Sequence, residues 1–132
     1  MNQKGFATLE VILMIVVIGI LATVAVPRFT DTTVKANTAK IQADLSTLDN
    51  AIAIYFMEKG QNPTGTDISV LEEYVKDVEN LKPPTGKAYI NGEQKEISAK
   101  TYSFKTVDKE TRAALDDKIA GDFSTTRTST AE

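Results

Sequence analysis

From Phe6 to Val26 the chain is almost wholly apolar; beyond it, apolar residues recur at three-, four- and seven-residue steps. A helix over 6–26 would be about 31 Å long at the usual rise, enough to cross a bilayer core. Beyond Pro27, the residues Val34, Ile41, Leu45, Leu48, Ile52 and Tyr55 fall on one stripe of a long amphipathic helix. Lys35, Lys40, Gln42, Asp44 and Asp49 lie mostly off that stripe, and Gly60 is the expected C-terminal stop. "YFMEKGQNPTG" then makes a turn, with Pro63 and Gly65 as breakers.

The second half of the chain predicts smaller elements. Ser69-x-x-Glu72 reads as a capping box opening a short helix, with Ile68, Leu71, Tyr74, Val75 and Val78 on one face. Asn91-Gly92 is a hairpin turn signal between "KAYI" and "QKEIS", and "TYSFKTV" alternates as a third strand. A last short helix is expected over 109–119, ending near Gly121, with a Ser/Thr-rich tail that is mobile or a surface strand. The class expected is α+β: a long N-terminal helix, transmembrane and then amphipathic, packed against a small antiparallel sheet of about three strands.

Composition narrows the chemistry. The chain has 132 residues and a formal net charge of −3, with its positive residues scattered, so no clear nucleic-acid site is visible. Removing the apolar run leaves roughly a hundred residues, enough for one small core. There is no cysteine and no histidine, which removes disulfides, thiolate metal sites, imidazole zinc sites and His-dependent nucleophilic catalysis. The adjacent acid pairs Glu72-Glu73 and Asp116-Asp117 diverge on a helix and read as solvated surface. No catalytic, cofactor or metal site is expected.

One acid, Glu10, interrupts the apolar run. About a dozen Leu, Ile and Val at roughly −0.3 to −0.6 kcal/mol each outweigh a penalty of about +3 kcal/mol, so insertion survives it. Glu10 reads either as a residue at headgroup depth or as a partner for a positive charge inside an assembly, as intramembrane acids usually mark function. A cut between Gly5 and Phe6 would create an ammonium one helical turn from Glu10. The flanks favour the second reading. The short leader "MNQKG" precedes the run, whereas a secretory signal has its cleavage site after the apolar core, and none follows Val26.

"KGFATLEVILMIVVIGILATVAVP" resembles the N-terminus of type IV prepilins and of the pseudopilins of type II secretion and competence systems. The matching positions are Lys4, Gly5 as last leader residue, Phe6 as first mature residue, Glu10, Gly19 and Pro27. Ala7-Thr8-Leu9 replaces the usual Thr-Leu after the Phe, a mild departure. The resemblance implies a pilin-like fold, cleavage between Gly5 and Phe6 by a membrane-embedded prepilin peptidase, N-methylation of Phe6, and filament assembly through Phe6 and Glu10. It also implies a kink or unwinding of the helix between Gly19 and Pro27, where the proline lacks an amide hydrogen. Loss of Lys4 would take the side-chain charge from −3 to −4. The implied partners are further copies of the chain in a helical filament, the peptidase, an inner-membrane assembly platform and ATPase, and membrane lipid before assembly.

The segments expected on this reading are a leader over 1–5, a transmembrane or filament-core half-helix over 6–27, an amphipathic half over 28–59, and a head over 60–132. The subunit would start as a single-pass protein of the cytoplasmic membrane and end in an extracellular or cell-surface filament serving adhesion, motility or DNA uptake. Two alternatives stay open: a type II secretion pseudopilin, and a membrane-anchored binding domain that does not assemble. The head lacks the disulfide of many pilins, and Asp116, Asp117 and Asp122 lack EF-hand-like spacing, so a solvated acidic end is expected rather than a calcium site.

Overall fold

The computed structural model describes residues 3–127, with backbone alone over 24–30. One helix, α1, runs Gln3–Lys59. Strands β1 (Lys87–Ile90), β2 (Glu93–Glu96), β3 (Ser103–Val107) and β4 (Glu110–Ala114) follow, with short 3-10 turns at Ile68–Leu71, Val78–Asn80 and Ala120–Asp122. The class is α+β, as expected. The chain divides into two compact units, Met1–Thr33 and Val34–Glu132.

The second unit is organised by the stripe. Ile41, Leu45 and Leu48 are fully buried, and Val34, Ala51 and Ile52 extend the same face. Each Val, Leu or Ile side chain among them contributes about 1.5–3 kcal/mol on burial. The opposing layer comes from Leu71, Val78, Ala88, Tyr102, Leu115 and Phe123. At the end of α1, Gly60 adopts a φ of +71°, and its N–H donates to the Phe56 carbonyl at 2.8 Å. That left-handed residue is the stop its identity announced.

The expected short helix is present only as 3-10 turns. Asp67, not Ser69, caps the first of them by accepting the Ser69 N–H at 2.9 Å. Asp77 at a φ of +56° stops any continuous helix from forming through this stretch. The apolar set is nevertheless right: Ile68, Leu71, Val75 and Val78 are buried.

The strands form two separate antiparallel ribbons, β1–β2 and β3–β4, rather than one three-stranded sheet. One further backbone bond extends the β1–β2 ribbon past β2, and the N–H after it goes to a side chain rather than to a third strand. The Ile97 N–H donates to the Gly86 carbonyl at 2.8 Å, and the Ser98 N–H donates to the Asp116 carboxylate at 2.9 Å. Asn91-Gly92 makes the expected hairpin turn, with φ values of +50° and +81° between paired Ile90 and Glu93.

The helix expected over 109–119 is not formed; β4 occupies its start and pairs with β3 from Ser103↔Ala114 to Val107↔Glu110. Local helix propensity in "KETRAALDDKI" is overridden by burial of Ala113, Ala114 and Leu115. Asp108-Lys109 and Asp116-Asp117 supply two more turns with positive φ at both central residues. Lacking glycine, neither pair gave a turn signal. The tail is docked as far as Arg127: Phe123 is buried, and the Gly92 N–H donates to the Ser124 carbonyl at 2.9 Å. Residues 128–132 lie outside the described part of the chain.

Candidate assembly surface and the helix that carries it

In the first unit, Gln3–Thr23 is one membrane-length helical stretch with a mean hydropathy of 2.5 and none of it buried within the chain. Phe6, Leu9, Ile15, Ile18 and Leu21 are each more than half exposed. A helix apolar on every side has no partner here and must meet lipid or another protein. The Thr8 and Thr23 hydroxyls satisfy themselves on the carbonyls of Lys4 and Ile20, at 2.9 and 2.7 Å. That removes two polar groups from the apolar surface.

Glu10 is exposed on this stretch, one turn beyond Phe6. Among the described residues, its carboxylate has no ion pair or side-chain hydrogen bond. A Cβ added at Gly5 or at Gly19 would meet nothing within 4 Å, so packing within one chain gives no reason for either glycine. Helical backbone covers Gly19 and Pro27, and the proline lies in the stretch described by backbone alone. These residues share one helix but are not gathered into a pocket.

In the second unit the polar residues flanking the buried stripe hold the head to α1. The Thr38 hydroxyl donates to the Val34 carbonyl at 2.7 Å and accepts the Tyr89 N–H at 2.8 Å, binding β1 to the helix. Asn37 donates to the carbonyls of Lys87 and Thr85, at 2.9 and 3.2 Å. Gln42 donates to the Phe123 carbonyl. The Asp44 carboxylate accepts the Tyr102 hydroxyl at 2.6 Å and pairs with Lys40. Burial and this bond to a carboxylate push the Tyr102 phenol far above its ordinary range. Asp49 accepts the Ala113 N–H at 2.7 Å and two Arg112 N–H groups.

Sequence reasoning placed Gln42, Asp44 and Asp49 off the stripe without seeing that they are docking groups. Thr38 was missed because a hydroxyl does not register in an apolar pattern, although its spacing from Val34 and Ile41 fits the stripe. The outer face of the same helix is exposed and made largely of small residues, Ala36, Ala39, Ala43, Ser46 and Thr47 among them. Among the described residues there is no group of three or more acids that could hold a metal ion.

The chain is similar to known proteins over about half its length. It is 42% identical over 64 residues to the type IV narrow pilus major component PilA5 of Thermus thermophilus, covering 48% of this chain and 55% of that protein. It is 36% identical over 63 residues to type II secretion system core protein G of Klebsiella pneumoniae, and 37% identical over 63 residues to that of Escherichia coli. These matches cover 48% of this chain and 45% and 43% of the respective relatives. The chain thus spans about half the length of the curated relatives it matches. No family model matches it, and no solved structure does either.

Proposed function

We propose, from the premise that over about half its length this chain is related to type IV pilins and type II secretion pseudopilins, that it is a structural subunit of a pilus-like filament. The observation that carries this reading is the wholly exposed apolar helix Gln3–Thr23 with an exposed acid, Glu10, four residues after Phe6. Such a surface is satisfied in lipid before assembly and by neighbouring helices afterwards.

On this reading the leader, residues 1–5, is removed by a prepilin peptidase, and the Phe6 amine so created is methylated. Glu10 pairs with the Phe6 ammonium of a neighbouring subunit. The two groups of one chain are about 6 Å apart along the helix axis. In a low-dielectric filament core an unpaired charge is costly, so the pair would reject misregistered subunits. The segment between Gly19 and Pro27 would unwind as helices pack. The filament core would be formed by 6–27 and the exposed face of 28–59, and the head by 60–132. Assembly would draw on an inner-membrane platform and ATPase, and deliver the subunit from the cytoplasmic membrane to the cell surface. The relationship to core protein G favours, as a second reading, a short pseudopilus serving secretion.

The test is the intact mass of the membrane-extracted chain from cells with and without the peptidase. Loss of Met1 to Gly5, with or without a methyl on Phe6, is expected only where the peptidase is active. An uncut chain in its presence would leave a membrane-anchored domain that does not assemble. Glu10→Gln should be cut normally yet give few filaments; wild-type filament yield from it would refute the pairing role. Filament length and dependence of secretion on the gene separate pilus from pseudopilus.

A further inference from the structure

Asn91-Gly92 is the one Asn-Gly pair in the sequence. Such a pair carries a reaction of its own. The backbone nitrogen of the glycine can attack the Asn side-chain carbonyl carbon, and the absence of a glycine side chain leaves that approach unhindered. A bond forms between Gly92 N and Asn91 Cγ, the Cγ–Nδ2 bond breaks, and ammonia leaves with the proton lost from Gly92 N. Water then opens the cyclic imide to Asp or to its isomer, with the backbone running through the side-chain carbon.

The structure holds this nucleophile shut. The Gly92 N–H donates to the Ser124 carbonyl at 2.9 Å, and the Asn91 N–H donates to the Asp122 carbonyl at 2.8 Å. A Cβ at Gly92 would lie 2.8 Å from the Arg127 nitrogen, so the C-terminal segment passes directly over the turn. Between the two acceptors sits Phe123, 1% exposed, whose own carbonyl takes a hydrogen bond from Gln42 on α1. The segment over 122–127 is therefore a strap. It is anchored in the core by one aromatic side chain and fastened across the turn by two backbone bonds.

We infer that Asn91 is a latent site of deamidation and isoaspartate formation, closed by the C-terminal strap and opened when the strap lifts. Attack requires Gly92 N to give up its proton and move toward the Asn91 side chain, and the bond to Ser124 resists both. Conversion adds one negative charge per subunit. The isomer also adds a backbone atom to a two-residue turn whose register pairs Ile90 with Glu93. Lifting of the strap is thus recorded covalently, independently of any role in a filament.

The experiment uses the full-length chain in detergent micelles, held for days in mildly alkaline buffer, natively folded and in urea. Tryptic peptide 88–95 is then scored for the Asn-to-Asp mass change and for the isomer by electron-transfer fragmentation. Deamidation in the native chain should be at least roughly tenfold slower than in urea, since strap release is a local opening. Gln42→Ala, which keeps Phe123 in the core, and Phe123→Leu, which keeps an apolar anchor, are both expected to raise Gly92 amide exchange and deamidation together. Equal rates in folded and denatured wild type would overturn the inference. So would variants that speed Gly92 exchange without speeding deamidation, or that change neither.

Discussion

Tyr102→Phe isolates the bond between the head and the amphipathic part of α1. Tyr102 is 1% exposed and its hydroxyl donates to Asp44 at 2.6 Å. A hydrogen bond to a charged group contributes about 1.5–3 kcal/mol. The lower end applies, because the Asp44 side chain is 14% exposed and Lys40 still pairs with the same oxygen after the change. The expected loss is therefore about 1.5 kcal/mol, close to tenfold in the folding equilibrium. Urea titration of the full-length chain in micelles, read by pulse proteolysis of the head, measures it.

The same variant has a pH signature. The phenol ionises near 10.0 when unfolded, while in the fold burial and Asp44 hold it higher. A raised folded value means the native state keeps its proton longer. The contribution is therefore complete below pH 10 and declines as pH rises beyond it. The stability gap between wild type and Tyr102→Phe should accordingly narrow in alkali. Tyr74, pushed up to about 12 by its hydrogen bond to Glu58, is present in both chains and cancels from the difference. A gap of under about 0.3 kcal/mol at neutral pH, or one that does not change in alkali, would refute this account of the bond.

Two other changes probe the same unit. Leu48→Ala removes a fully buried side chain from the centre of the stripe and should cost about 2–5 kcal/mol, read as a lower urea midpoint with unchanged slope. Asp49→Ala strands the Ala113 N–H, at a residue with no exposure, and should cost about 1–3 kcal/mol. Arg112→Ala, whose side chain is 40% exposed, should cost about 1 kcal/mol or less. Equal losses from these last two, in the same titration, would show that the ion pair rather than the backbone bond holds β4.

What could be read in advance was what rests on local pattern. Membrane length, the stripe from Val34 to Tyr55, the Gly60 stop and the Asn91-Gly92 turn each depend on residue spacing or on one backbone conformation that glycine permits. Glu10, Gly5 and Phe6 stood out because an acid in an apolar run and a leader before it are anomalies of composition. What the sequence left undecided was pairing at a distance. Nothing local in "KETRAALDDKI" distinguishes helix from strand; burial of Ala113 to Leu115 and the β3 partner do. Asp108-Lys109 and Asp116-Asp117 turn without glycine because strand pairing and side-chain bonds hold them, with Lys105 donating to Asp117 at 2.8 and 3.1 Å. Thr38, Gln42, Asp44 and Asp49 became docking groups only when the head supplied N–H, carbonyl and hydroxyl partners from 51 to 81 residues away (Tyr89 and Phe123 among them), and that distance is what a local pattern cannot carry.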